Sequence, residues 1–145
     1  HHHSFNDRKR SYNDFCDEYN LEPLQSEPWK YEPLETQFDE LLKRQITAIV
    51  CYCDDIAMQV LYFAWRRRIQ IPNQLSVITF NATPSQQYTI PPLDALAVPG
   101  TEMGLETVRV LIEKRKNPDD YRGYSIRIPG KLIHRESVAP APLAG

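Results

Sequence analysis

Two short apolar runs, ITAIVCY at 46–52 and LSVITF at 75–80, constrain this chain more than anything else in it. Both are rich in β-branched residues, and neither alternates polar with apolar. A strand with one wet face alternates with a period of two, whereas a strand covered on both faces of a parallel sheet reads as a continuous run. Between them, Asp55 to Arg68 reads as a helix, with Ile56, Ala57, Val60, Leu61, Phe63 and Ala64 in one broad stripe. Buried strand, helix, buried strand predicts an α/β layered fold with a parallel sheet.

The flanking segments extend the pattern. Phe5 to Tyr19 reads as a charged helix with Phe5, Tyr12, Phe15, Cys16 and Tyr19 at helical spacing. NLEPLQSEPWKYEP, with three prolines, reads as loop, and LETQFDELLKRQ reads as an amphipathic helix. After LSVITF come the loop NATPSQQYTIPPL, a short strand DALAV and a helix over TEMGLETVRVLIEKRKN. That helix ends in basic residues ahead of Pro118, as the helix dipole favours. YSIRIPGKLIHRES reads as one or two short strands before a frayed tail.

The helix at 55–68 has a second apolar stripe, Met58, Tyr62 and Trp65, beside the first. Packing on one sheet needs only about 100° of apolar surface. The excess points to a second partner: another subunit, or a loop of the same chain.

Composition narrows the function. The chain has 145 residues, the first three a histidine run that reads as a tag remnant. A net charge of −2 gives these residues no electrostatic reason to bind DNA or an acidic membrane. No apolar run is long enough to span a bilayer, no signal peptide is visible, and three cysteines make no disulfide framework. These point to a cytoplasmic protein.

CYCDD at 51–55 invites a metal or redox reading. Cys51 and Cys53, two apart on a strand, share a face, but no second ligand pair exists and the spacing is not CxxC. No metal or other cofactor is expected. Cys51 is most simply core. In open α/β sheets ligands bind beyond the carboxyl ends of strands. Cys53 and Asp54 fall there, and LSVITF runs into Asn81 in the same way. One of Asp54 and Asp55 can instead cap the helix. There is no GxSxG, P-loop or GxGxxG, and the only histidine outside the leading run is His134. The pattern supports binding of a hydroxyl-rich small molecule over catalysis; no catalytic residue is assigned.

TAIVCYCDDIAMQVL, IQIPNQLSVITFNATP, IPPLDALAVPGTEMG and LIHRESVAP together, in this order and spacing, resemble the C-terminal half of LacI/GalR-family transcription regulators. AIVCY-DDIA is also similar to the arabinose-repressor branch. The resemblance implies a periplasmic-binding-protein-like (type I) fold, doubly wound with a parallel sheet, here a partial domain. It implies the C-terminal subdomain at 4–94, a crossover strand and helix of the N-terminal subdomain at 95–120, a return at 121–140 and a tail at 141–145.

The resemblance further implies that Ser4, Arg8, Trp29, Cys53, Asp54 and Asn81 contact a sugar-like effector, with Arg8 bonding its hydroxyls. Cys53, Asn81 and Ala82 depart from the family's usual amide and carboxylates, which puts sugar specificity in doubt. Met58, Tyr62 and Trp65 would meet the second copy of a homodimer. DNA would be bound only through a domain missing from these residues, under allosteric control. The missing opening strand should be central and leave a gap in the sheet, which exchange with a second copy could close. A periplasmic-type solute-binding protein, or an α/β enzyme using Asp54 and Cys53, are the alternatives.

Overall fold

A computed structural model describes residues 3–26, 32–117 and 125–141. The elements run α1 (His3–Glu18), α2 (Leu34–Lys43), β1 (Ala48–Val50), α3 (Asp54–Arg66), β2 (Ser76–Phe80), a 3-10 turn (Pro84–Tyr88), β3 (Asp94–Ala97), α4 (Gly100–Lys116) and β4 (Lys131–Ile133). The four strands form one sheet in the order β1-β2-β3-β4. The first three are parallel, with Val50 opposite Ile78 and Ile78 opposite Asp94. β4 returns antiparallel to β3. The layered α/β expectation is met, with this one antiparallel strand added.

The core lies where α3 and α2 cover the sheet. Ala57, Val60, Phe63 and Ala64 of α3 pack with Phe38 of α2, with Val77 of β2, and with Leu75 and Leu93, the residues leading into β2 and β3. Ala57 is fully buried, so α3 approaches closely at that point. Phe38 and Phe63 meet with ring centres 5.9 Å apart. Outside this core, Arg67 clamps α3 to α2, its guanidinium donating to both carboxylate oxygens of Asp39 at 2.6 and 2.8 Å and to Glu35 at 3.0 Å.

The two apolar runs do not share one fate. β2 sits between β1 and β3, with Val77 and Thr79 buried. β1 is an edge strand only three residues long, and Val50 is 62% exposed. The expectation of two-sided burial for ITAIVCY is therefore corrected. β1 has one strand neighbour, and no described segment covers its outer face. The four described strands pair without interruption, so the expected gap does not fall between any two of them.

A buried carboxylate ties the return segment into the sheet. Asp94, 3% exposed, accepts from the Arg135 N–H at 3.1 Å and from the Ser137 N–H at 2.8 Å. The Ser137 hydroxyl accepts from the Asp94 N–H at 2.7 Å and lies 2.6 Å from the Val77 carbonyl, to which it donates. The Ser137 carbonyl accepts the Val77 N–H at 2.8 Å. Ser137 thus pairs with β2 just ahead of the point where β3 begins. The chain stays pinned beyond it, because Ala139 bonds the Ser76 hydroxyl through both its N–H and its carbonyl.

α4 contrasts with the rest. None of its residues is buried, and Met103, Leu105, Val108, Leu111 and Ile112 are all exposed.

Two predictions follow from these contacts. Ser137→Ala strands the Asp94 N–H and the Val77 carbonyl in the core, and should cost about 2–3 kcal/mol, read as a lower urea midpoint at unchanged m. Arg67 holds the Asp39 carboxyl below its usual value of 3.8, mainly through the hydrogen bond between them. The bond's contribution is therefore present above pH 3.8 and is lost as pH falls through the folded-state value. Asp39→Asn should flatten the loss of stability on acidification below about pH 4, measured by urea titrations at several pH values.

Candidate effector site

β1 and β2 are parallel neighbours in register, so their carboxyl ends open on the same edge of the sheet. Ligands of open α/β folds bind at such edges. Four segments converge there: the first turns of α1, the β1–α3 junction, the end of β2 and the 3-10 turn.

Tyr52, at the β1–α3 junction, receives α1. Its hydroxyl lies 2.8 Å from the Ser4 hydroxyl, and its carbonyl accepts from Arg8 Nη1 at 2.7 Å. Its ring meets Phe5 edge-on, with centres 5.4 Å apart. The Arg8 guanidinium also lies 4.0 Å from the Phe80 ring centre and 4.7 Å from that of Tyr52. Ser4 and Arg8 are thus brought to one point with the ends of both strands. The sequence analysis missed Tyr52. The only signal was its place, one residue before the polar pair Cys53-Asp54.

Asp54 is the first residue of α3, with Cys53 at the N-cap. Neither Asp54 nor Asp55 caps the helix, since the N-cap position belongs to Cys53, whose side chain makes no capping bond. Asp54 Oδ2 accepts from the Thr83 hydroxyl at 2.5 Å, and Oδ1 accepts from the Gln86 amide at 2.7 Å. The same amide donates to the Phe80 carbonyl at 3.0 Å. Gln86 is 1% exposed, and its Oε1 finds no partner among the described residues. Flipping the amide would set that oxygen against a carboxylate, so charge fixes its orientation. Gln86 was also missed: a glutamine inside a proline-flanked loop gives no periodic signal.

Between these anchors the chain turns sharply. Asn81 and Ala82 adopt φ of 81° and 52°, a left-handed conformation that Asn tolerates and Ala resists. The Asn81 N–H donates to the Leu96 carbonyl at 2.9 Å, while its side chain is exposed. Cys53 is partly exposed at the same edge.

The expected strand geometry of the cysteines is corrected, because β1 ends at Val50. Cys51 lies in the core, where burial pushes its thiol up to about 12. No metal-ligating cluster exists among the described residues. Trp29 lies outside the described residues. His134 is 3.6 Å from Asp94, but Asp94 sits between it and a fully buried Ser137, the wrong order for a histidine to activate a hydroxyl.

Two other surface features bear on function. An open polar concavity of about 300 Å³ lies between the 22–26 segment and α2, lined by Glu22, Gln25, Gln37, Glu40 and Arg44 among others, and includes none of the residues above. On α3, Met58, Tyr62 and Trp65 are 49%, 53% and 74% exposed, and no described segment covers them. The Tyr62 and Trp65 rings stack, with centres 6.1 Å apart.

A model of the periplasmic binding protein-like domain matches residues 1–138, nearly the whole chain. The chain belongs to the periplasmic-binding-protein-like family, among its LacI/GalR regulators. The lactose operon repressor of Rhizobium radiobacter is 32% identical over 90 residues, 62% of this chain and 78% of that protein. The regulator MalR of Streptomyces coelicolor is 31% identical over 102 residues, 70% of this chain and 29% of that protein. A sugar-binding LacI-family regulator from Escherichia coli, solved with phosphate, superposes with a TM-score of 0.68 at 28% identity, over 89% of this chain and 48% of that one. A LacI-family regulator from Bifidobacterium animalis shares the fold, with a TM-score of 0.76 at 23% identity. This LacI/GalR chain therefore spans about half the length of these solved relatives, and 29% of MalR.

In this LacI/GalR chain, Asp54 and Gln86 together brace the 81–88 loop. Gln86→Leu should speed amide hydrogen exchange over 81–88 by roughly tenfold or more while leaving α2 and α3 protected, since the loop loses both side-chain bonds of Gln86 and keeps only the Asp54–Thr83 bond.

Proposed function

We propose that these residues form the second half of the effector-binding region of a bacterial transcription regulator. A small hydroxyl-bearing effector, sugar-like in class, would sit at the β1 and β2 ends against Ser4, Arg8, Tyr52, Cys53 and Asn81. Trp29 and Asp54 are the remaining candidates, Asp54 acting through the loop it braces. Effector binding would shift the position of this half against the rest of the parent, altering its affinity for DNA bound elsewhere in that protein. The protein would act in the cytoplasm, without catalysis. The observation that carries this reading is the convergence of α1 with two parallel strand ends around Arg8, in a chain whose relatives are regulators.

An enzyme using Asp54 and Cys53 has less support. Both Asp54 oxygens are already engaged in holding the 81–88 loop.

We further propose that Met58, Tyr62 and Trp65 form a homodimer contact. An exposed aromatic stripe beside a buried one favours a partner over water, and Trp and Tyr are the residues that dominate such contacts. Tyr62→Ser/Trp65→Ser should leave the melting temperature at low concentration unchanged and weaken self-association at least tenfold by sedimentation equilibrium. A unit-weight monomer for the unaltered chain at all concentrations would reject the contact. For the effector, a thermal melt with a panel of pentoses, hexoses and nucleobases should show one ligand that stabilises by about 2.7 kcal/mol at 100 times its dissociation constant. Loss of that shift in Asn81→Ala, with folding intact, would place the ligand at the strand ends.

A further inference from the structure

We infer that the effector taken at the β1 and β2 ends is anionic, carrying a phosphate or carboxylate group, and that Arg8 selects it. This rests on the effector reading above and goes further, to the charge of the ligand.

The argument is an inventory of charge at the site. Arg8 is half-buried, and among the described residues its hydrogen bond is from Nη1 to the Tyr52 carbonyl. A guanidinium has five N–H donors. No ion pair among the described residues involves Arg8, whereas Arg66 and Arg67 on α3 pair with Glu35, and Arg67 also with Asp39. The Phe80 and Tyr52 rings fix the guanidinium without neutralising it, since a ring quadrupole attracts a cation but carries no net charge.

The acidic residues nearby are otherwise engaged or peripheral. Asp54 turns both oxygens to Thr83 and Gln86. Asp7 pairs with Arg10 on the exposed side of α1, and Asp55 is exposed in the first turn of α3. Cys53, Asn81 and Ala82 bring no negative charge. Carboxylate oxygens are the strongest acceptors a site can offer to neutral sugar hydroxyls. Here Arg8 brings a positive charge that meets no counter-ion among the described residues. A phosphate or carboxylate on the ligand would accept two parallel N–H bonds from Arg8 and supply that counter-ion.

The test is isothermal titration calorimetry of the chain with matched pairs: ribose and ribose 5-phosphate, glucose and glucose 6-phosphate, glucose and gluconate, with inorganic phosphate alone. Each is run at low and high sodium chloride, on the unaltered chain, Arg8→Gln and Arg8→Lys, with folding checked by circular dichroism. The expected result is that an anionic member binds at least about tenfold tighter than its neutral partner. The preference should shrink at high salt, disappear in Arg8→Gln and survive in part in Arg8→Lys. If Arg8→Gln fails to fold, the salt series and Arg8→Lys carry the test. A neutral sugar that binds as tightly as its anionic partner overturns the inference and leaves the effector reading standing. So does an anion preference, or phosphate binding, that Arg8→Gln leaves unchanged, which marks an adventitious ion. Failure of every probe, neutral and anionic, overturns both.

Discussion

The buried carboxylate of Asp94 is the constraint on which the rest of this structure depends. A carboxylate almost out of water is tolerated only if donors surround it, and here they come from a segment more than forty residues further along the chain. The Arg135 and Ser137 amides donate to the Asp94 carboxylate, the Ser137 hydroxyl accepts from the Asp94 N–H, and Ser137 also reaches back to both polar groups of the Val77 backbone. One short segment therefore stitches β2, β3 and β4 together. β2 carries the floor of the candidate site at its other end, so a disturbance at Ser137 would be felt through a strand only five residues long.

The site is built on the same economy. β1 and β2 supply two parallel ends, and single side chains lock the flanking pieces onto them. Tyr52 holds α1 through its hydroxyl, its carbonyl and its ring. Asp54 and Gln86 hold the loop after β2. α1 is otherwise lightly packed, with Cys16 its one buried residue. Its position against the strand ends thus rests on a few polar and ring contacts at its start, with the Tyr12 hydroxyl pinning the Leu24 backbone near its end. The proposed effector, competing for the same groups, would change how α1 is held.

The described residues leave much apolar surface uncovered: the outer edge of β1, the Met58–Tyr62–Trp65 stripe and all of α4. A helix of this length that buries nothing is marginal by itself in water. The chain spans about half the length of its solved relatives.

The sequence by itself determined the element types, the order of the elements and the family. Continuous apolar runs and 3.6-residue stripes report what each stretch must bury, and the order of the elements follows from the chain. It also placed Cys53, Asp54 and Asn81 at the ends of strands, because the polar residue after a buried run is visible in one dimension, whereas Ser4 and Arg8 were singled out only by the family resemblance. It overstated the burial of β1, since an apolar run does not say how many neighbours a strand has. The tertiary structure alone decided which polar groups spend their bonds on the protein and which remain for a ligand. Asp54 and Arg8 look alike in sequence, as charges near the same edge. The fold hands Asp54 two donors and leaves Arg8 with one carbonyl and two rings, because partners such as Gln86, Thr83, Tyr52 and Phe80 lie far away along the chain and meet only when the sheet closes.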